Sequence, residues 1–285
     1  MEIMTWPTDN FGDRLNEIVW PHFAPEVCAF DAPGRIVGIG SLLNHRLPQN
    51  GMKYVLGSGF GHGEEPTIDE NWRVFWVRGP ETANLLKRLS GRDHKFITDG
   101  AIMLSEIYPH EEKKFDVSLI PHCSACTPGA WKALSEIANS LGINIISPEQ
   151  APADVVRQIA QSRKVLTEAL HGAIVADSFG VPWKPLARSG ILHFKWVDWT
   201  SSMSLPYEPS ELAYHNTWFE RDPSVTAPKR LARRIAGVMS KPLLRWQLGR
   251  LAAGDTWHLS DRALVARKIA EIKEELERFK HELAA

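Results

Sequence analysis

Lys164-Val165-Leu166-Thr167-Glu168-Ala169-Leu170-His171-Gly172-Ala173-Ile174-Val175-Ala176-Asp177-Ser178-Phe179-Gly180 reads as a short buried strand, a polar turn and an apolar, small-residue helix closed by glycine. Strand, turn and helix in that order are the unit from which parallel sheets are built. Val165 and Leu166 carry the strand, and Ala173, Ile174 and Ala176 pack the helix inward over roughly Leu170 to Phe179. His171 then falls in the first helical turn, where free backbone N–H groups and the positive end of the helix dipole favour an anionic ligand. A histidine there either moves protons and binds phosphate or fills a structural place in the core.

The same rhythm extends in both directions. Arg35 to Gly40 runs into Ser41, and Lys53 to Leu56 runs into Gly57-Ser58-Gly59-Phe60-Gly61-His62-Gly63. Trp72 to Val77 ends at Arg78-Gly79-Pro80, with a helix from Glu81 to about Leu89; Phe96 to Thr98 ends at Asp99-Gly100. After the charged run His110 to Lys114 the pattern restarts: Val117 to Ile120 runs into Pro121-His122, and a helix spans about Gly129 to Leu141. Asn144 to Ile146 is the next strand, Ala153 to Gln161 the next helix, and Val181 to Leu186 continues the sheet. Ligands of open parallel sheets bind outside the carboxyl ends of the strands. Arg78, Asp99, His122, His171 and the glycine loop all follow strands. The expected fold is α/β, with two Rossmann-like domains, residues 1–112 and 113–220, whose parallel sheets face a cleft. A helical tail, 221–285, packs back on them, with Leu264, Ile269, Ile272, Leu276 and Phe279 on one stripe of its closing helix.

Composition excludes several classes. The 285 residues are 44% hydrophobic, enough for real cores, and the net charge of −1 gives no basic field for nucleic acid. No apolar run approaches the roughly 20 residues that span a bilayer, and Met1 to Asn10 lacks a signal layout, so the expected location is cytoplasmic. Three cysteines make no disulfide framework. Cys28 stands alone, and Cys123-Ser124-Ala125-Cys126 is either a redox pair or half a zinc site with His122 as the one nearby ligand. The glycine loop fits neither a P-loop nor a dinucleotide fingerprint. From Arg221 onward Lys229, Arg230, Arg233, Arg234, Lys241, Arg245 and Arg250 face few acids, with Leu243, Leu244 and Trp246 interleaved. This is a solvated helical face or a patch for an anionic lipid surface.

Taken in order, these segments resemble the polysaccharide pyruvyl transferases over most of the first 200 residues. Asn10-Phe11-Gly12-Asp13-Arg14-Leu15-Asn16 is similar to that family's amino-terminal element, and Gly57-Ser58-Gly59 to its glycine-rich turn. Trp76-Val77-Arg78-Gly79-Pro80-Glu81-Thr82, Thr98-Asp99-Gly100, Ile120-Pro121-His122, Leu170 to Asp177 and Phe179-Gly180-Val181-Pro182 complete the set. One departure stands out: many members carry Arg-Leu-His-Gly, whereas Ala169 holds the arginine position here.

The resemblance implies a GT-B-like architecture, phosphoenolpyruvate as co-substrate with no other cofactor, no metal, and a sugar diol on a lipid-linked exopolysaccharide repeat unit as acceptor. Ketal formation requires protonating the vinyl carbon, stabilising an oxocarbenium-like centre, deprotonating two hydroxyls and releasing phosphate. His171 is the expected acid/base or phosphate partner, with Asp13 and Glu168 as bases or acceptor ligands. Arg78 and the Gly57-Ser58-Gly59 turn suit the donor's anionic groups. Asn10, Gly12, Asp99, His122, Gly172 and Lys195 are further expected substrate contacts, and Arg78, Arg14 and Lys195 are the cations available to replace the missing arginine. Acceptor choice is expected from loops 44–51, 61–71 and 196–207, where Trp196, Trp199 and Tyr207 either stack on sugars or fill the core. Peripheral membrane contact through the basic tail belongs to the same expectation. The competing readings are a GT-B-like glycosyltransferase using a nucleotide sugar and a non-catalytic sugar-binding subunit of polysaccharide assembly.

Overall fold

A computed structural model describes residues 1–7, 9–29, 34–61, 63–187, 192–212 and 227–284, with the side chains of 28–29 and 227–239 outside that description. Of the sequence readings, His62, Arg221 and the side chains of Cys28, Lys229, Arg230, Arg233 and Arg234 lie outside the described residues, as does the expected boundary at 220.

The chain alternates short parallel strands with helices, as the apolar rhythm requires. The first sheet has the order β1 (Glu2–Ile3), β2 (Arg35–Val37), β3 (Lys53–Leu56), β4 (Trp72–Trp76), every pair parallel. Before β2 come α1 (Phe11–Arg14), α2 (Asn16–Phe23) and α3 (Pro25–Ala29); after β4 comes α4 (Pro80–Ser90) and then a 3₁₀ segment, Gly100–Glu106. The second sheet begins with β5 (Ser118–Ile120), α5 (Pro128–Ser140), β6 (Asn144–Ile145), α6 (Pro152–Ala160), β7 (Val165–Thr167), α7 (Leu170–Ser178) and β8 (Trp183–Ala187). With β9 (Ser210–Glu211) its order is β6-β5-β7-β8-β9, again all parallel. The remaining helices are α8 (His193–Ser202), α9 (Ala227–Ala253) and α10 (Arg262–Ala284).

β7 and β8 are buried along their whole length, the signature of parallel strands covered on both faces. α4 starts with Pro80 at its first turn and stops at Gly91, whose φ of +72° continues no right-handed helix. Gly180 ends α7 in the same way, at φ +68°.

Two expectations change. The strand expected over Arg35 to Gly40 stops at Val37, because the buried Asn16 side chain takes both the N–H and the C=O of Ile39, at 2.8 and 2.9 Å. Phe96 to Thr98 makes only a single bridge, Val77 to Phe96, before Asp99 caps the 3₁₀ segment.

One apolar core joins the two sheets. It runs from Phe11, Trp20, Leu56 and Trp76 through Ala101 and Met103 to Ile120, Val165, Ile174 and Trp183, and on to Ile272 and Phe279 of α10. α10 buries Val265 where the sequence reading had Leu264, together with Ile269, Ile272, Leu276 and Phe279. Phe279 meets Phe75 and Tyr54 of the first sheet at 5.2 and 5.4 Å. α8 docks on α4, while α9 lies along α5. Among the described residues no helix is long and apolar enough to cross a membrane.

Candidate active site

The carboxyl ends of β2, β5 and β7 open onto a cavity of about 670 Å³, lined by Asn10, Asp13, Ser41, Arg46, His122, Cys123, Ala169, His171 and Lys195 among others. Its walls come from both sheets, which is why residues far apart in the sequence meet there.

The Asn10 to Arg14 segment forms one wall. Asn10 caps α1, accepting from the Gly12 N–H at 3.4 Å and donating through Nδ2 to Asp13 Oδ2 at 3.3 Å. Phe11 N–H donates to Pro148 C=O at 2.8 Å, pinning this turn to the second sheet's half of the molecule. Gly12 has to be glycine: a Cβ there would stand 2.1 Å from His171 Nδ1. The imidazole is thus seated against bare backbone, between Asn10 and Asp13.

Asp99 lies on the other side of the ring. Its Oδ1 accepts the Ala101 N–H at 3.0 Å, and its Oδ2 stands 3.8 Å from His171 Nε2. Both of those facing atoms are buried and make no hydrogen bond. Burial pushes the Asp99 carboxyl up to about 6, against the lowering influence of Arg78 and two backbone amides. Burial, reinforced by Lys195 and Arg78, holds the His171 imidazole down to about 3. Near neutral pH the pair is therefore a neutral imidazole beside a carboxylate, one proton short of an ion pair.

The cationic groups divide into two sets. Arg78 is fully buried: Nε donates to Asp198 Oδ2 at 3.0 Å, one terminal nitrogen to Ser41 Oγ at 3.0 Å, and the other to the Phe60 carbonyl at 2.7 Å. It acts on the site through its field and is not in the cavity wall. Lys195 and Arg46 are the wall cations. Burial and Arg78 lower the Lys195 pKa, while Asp13 and Cys123 partly restore it. Ala169, at the N-terminus of α7, also lines the cavity and brings no cation to it. Arg14 turns away to pair with Glu17 at 3.7 Å.

The remaining sequence candidates act behind the wall. Gly57, Ser58 and Gly59 are buried; Ser58 Oγ donates to the Gly40 carbonyl at 3.1 Å, and a Cβ on Gly59 would stand 2.4 Å from the Arg78 guanidinium carbon. The glycine turn seats Arg78. Glu168 is buried and its Oε2 accepts the His122 N–H at 2.9 Å, bracing the loop that carries His122 into the cavity. His122 Nδ1 accepts the Ser124 N–H at 3.2 Å and caps the short 3₁₀ turn Cys123–Ala125. A Cβ on Gly172 would stand 2.5 Å from Thr167 Oγ1, so glycine there lets α7 close on β7.

Trp196 and Trp199 belong to the core: both are buried, Tyr207 stacks on Trp196 at 5.4 Å, and Trp199 packs on Trp183 at 5.2 Å. Cys123 and Cys126 are free thiols whose pKa values burial raises, that of Cys126 to about 11, the reverse of a redox-active pair. Among the described residues no group of three His, Cys, Asp or Glu is arranged to hold a metal. Sequence reading missed Asp198, Ser41, Arg46 and the role of Asn16; the one local signal was an acid, Asp198, lying between Trp196 and Trp199.

A family model described as polysaccharide pyruvyl transferase matches residues 41–190. The succinoglycan biosynthesis protein ExoV of Rhizobium meliloti (strain 1021) is 35% identical over 206 residues, which cover 70% of this chain and 63% of that protein's length. No solved structure matches the chain.

Proposed function

The chain belongs to the polysaccharide pyruvyl transferase family, and from that premise we propose that it moves the enolpyruvyl unit of phosphoenolpyruvate onto two hydroxyls of one sugar. The acceptor in this reading is an exopolysaccharide repeat unit on its lipid carrier, modified at the cytoplasmic side, with no cofactor or metal beyond the two substrates. The two halves would then work across their cleft as those of GT-B enzymes do.

The observation that carries the reading is the His171–Asp99 pair beside Lys195, at the meeting of both sheets. Asp99 faces Nε2 at 3.8 Å, where its negative charge would stabilise the imidazolium formed as the ring takes up a proton. Lys195 and Arg46 hold the donor's phosphate and carboxylate, and the positive end of the α7 dipole adds to their field. The vinyl CH₂ gains a proton and becomes CH₃, and positive charge develops at C2. The two hydroxyl oxygens bond to C2 as their protons leave, and the C2–O bond to phosphate breaks. Net, one phosphoenolpyruvate and one diol give one ketal and one phosphate. In this reading His171 carries the protons, and Asp13 and His122, which line the same cavity, orient the hydroxyls.

Phosphoenolpyruvate is expected to raise the melting temperature of the wild-type protein, and Lys195→Ala to abolish that rise, whereas His171→Ala keeps the rise and loses phosphate release. Stabilisation by a nucleotide sugar with none by phosphoenolpyruvate would replace this reading with a glycosyltransferase. Acceptor binding with no phosphate release in any variant would replace it with a binding subunit.

A further inference from the structure

Leu244 and Leu248 seat α9 on α5, in a cluster with Leu134, Ile137 and Ala138. The other side of the same helix is apolar too. Trp246 and Leu243, 59% and 47% exposed, are the two most exposed large hydrophobics among the described residues, and they stand three residues apart on one face. Arg250 covers the Trp246 ring at 5.2 Å. Lys241 and Arg245 lie on the α5 side of the helix, contacting Glu136 at 3.4 Å and Ser140 at 3.0 Å. Over its 27 residues α9 has seven lysines and arginines and no aspartate or glutamate, in a chain whose net charge is −1. The basic charge is thus concentrated along one helix, about 40 Å long at 1.5 Å per residue.

We propose that this face of α9 docks on an anionic lipid bilayer, with Trp246 and Leu243 entering the interface and the helix's cations meeting lipid phosphates. Three features select a bilayer over a protein partner. Tryptophan with leucine is the pair that settles at a headgroup boundary. An acid-free helix tens of ångströms long complements an extended negative surface better than a compact one. At Leu244 and Leu248 the opposite side of the helix is already committed to the protein, so this part lies flat as interfacial helices do. The proposal deepens the reading of a lipid-linked acceptor, since it would hold the cavity close to the surface that carries such a substrate. It rests on that reading for its purpose and not for its test.

The test is co-sedimentation of the full chain with vesicles of phosphatidylcholine alone and of phosphatidylcholine mixed equally with phosphatidylglycerol. Binding is expected to the mixed vesicles, to weaken with salt, and to be minor on phosphatidylcholine. The double variant Leu243→Glu/Trp246→Glu should lose vesicle binding while keeping its melting temperature and its phosphoenolpyruvate response. Arg250→Gln should weaken binding about fivefold, the ratio that corresponds to roughly 1 kcal/mol per cation near the surface. Equal binding to both vesicle types, or binding that the double variant retains, overturns the proposal. So does a wild-type dimer that the double variant converts to monomer, because the face would then be an interface between copies. Failure of the transferase reading is seen separately, as absent phosphate release with vesicle binding intact.

Discussion

His171 and Asp99 are buried together, yet burial moves their proton affinities in opposite directions. Burial lowers the imidazole from 6.5 to about 3, so its folded form resists protonation; stability from that source is present above pH 6.5 and is lost as pH falls toward 3. Burial raises the Asp99 carboxyl from 3.8 to about 6, so its folded form favours the proton; stability from that source is present below 3.8 and is lost as pH rises through 6. Between pH 6 and 4 the two contributions cancel in the wild type. Asp99→Asn removes one of them, and its unfolding free energy, read by denaturant titration at several pH values, should fall more steeply on acidification than that of the wild type. The same substitution should cost activity on the order of 10²-fold or more and remove an acid limb near pH 6, because the negative charge that would stabilise a protonated imidazole is gone. An unchanged pH profile in Asp99→Asn would take Asp99 out of the mechanism. His171 was legible from sequence because everything that marks it, strand, turn, glycine and helix, lies within ten residues. Its pairing with Asp99 was not, because a contact between residues 72 positions apart leaves no local trace.

At the scale of elements, the cavity depends on how α8 is held. Lys195 stands one turn before Asp198, and Asp198 accepts from Arg78 Nε at 3.0 Å, from Thr82 N–H at 2.8 Å and from Thr82 Oγ1 at 2.7 Å. One carboxylate thus ties α8 to the end of β4 and the start of α4, and the tie is tight: a Cβ on Gly79 would stand 2.0 Å from the Asp198 carbonyl oxygen. Removing its charge leaves Arg78 buried and uncompensated, so Asp198→Asn is expected to cost about 3–5 kcal/mol in denaturant unfolding. The apolar double variant Arg78→Met/Asp198→Leu should cost less than the single one. Near-equal costs would mean that the bond matters and the charge does not. The sequence showed the strand and helix spacing but assigned Arg78 to the ligand, because an arginine after a strand at a glycine turn looks the same whether its partner is a substrate phosphate or an aspartate 120 residues on. The helices were readable from proline starts and glycine stops, which act locally. The early end of β2 was not, because Asn16 captures Ile39 from outside the strand.

The whole molecule holds two sheets around that cavity, and the largest of its three apolar clusters spans both of them. Phe11, Trp20 and Trp76 from the first half, Ile174 and Trp183 from the second, and Ile272 and Phe279 from α10 belong to one cluster. α10 follows the second sheet in the chain yet packs on the first: Phe279 lies against Phe75 and Tyr54, and Lys273 reaches Glu106 at 2.6 Å. The helix therefore acts as a strap across the halves, closing the cluster that they share. Sequence periodicity gave the strap's stripe but not its destination, since an amphipathic helix fits any apolar face. Two halves that merely touched would melt separately. A shared core predicts one calorimetric transition whose enthalpy matches its van't Hoff value. Phe279→Ala, which empties a fully buried ring, should lower unfolding free energy by about 3–5 kcal/mol and move that single transition as a unit. Two resolved peaks, with only one shifted by Phe279→Ala, would show that α10 belongs to the first half alone and that the cavity lies between independent bodies.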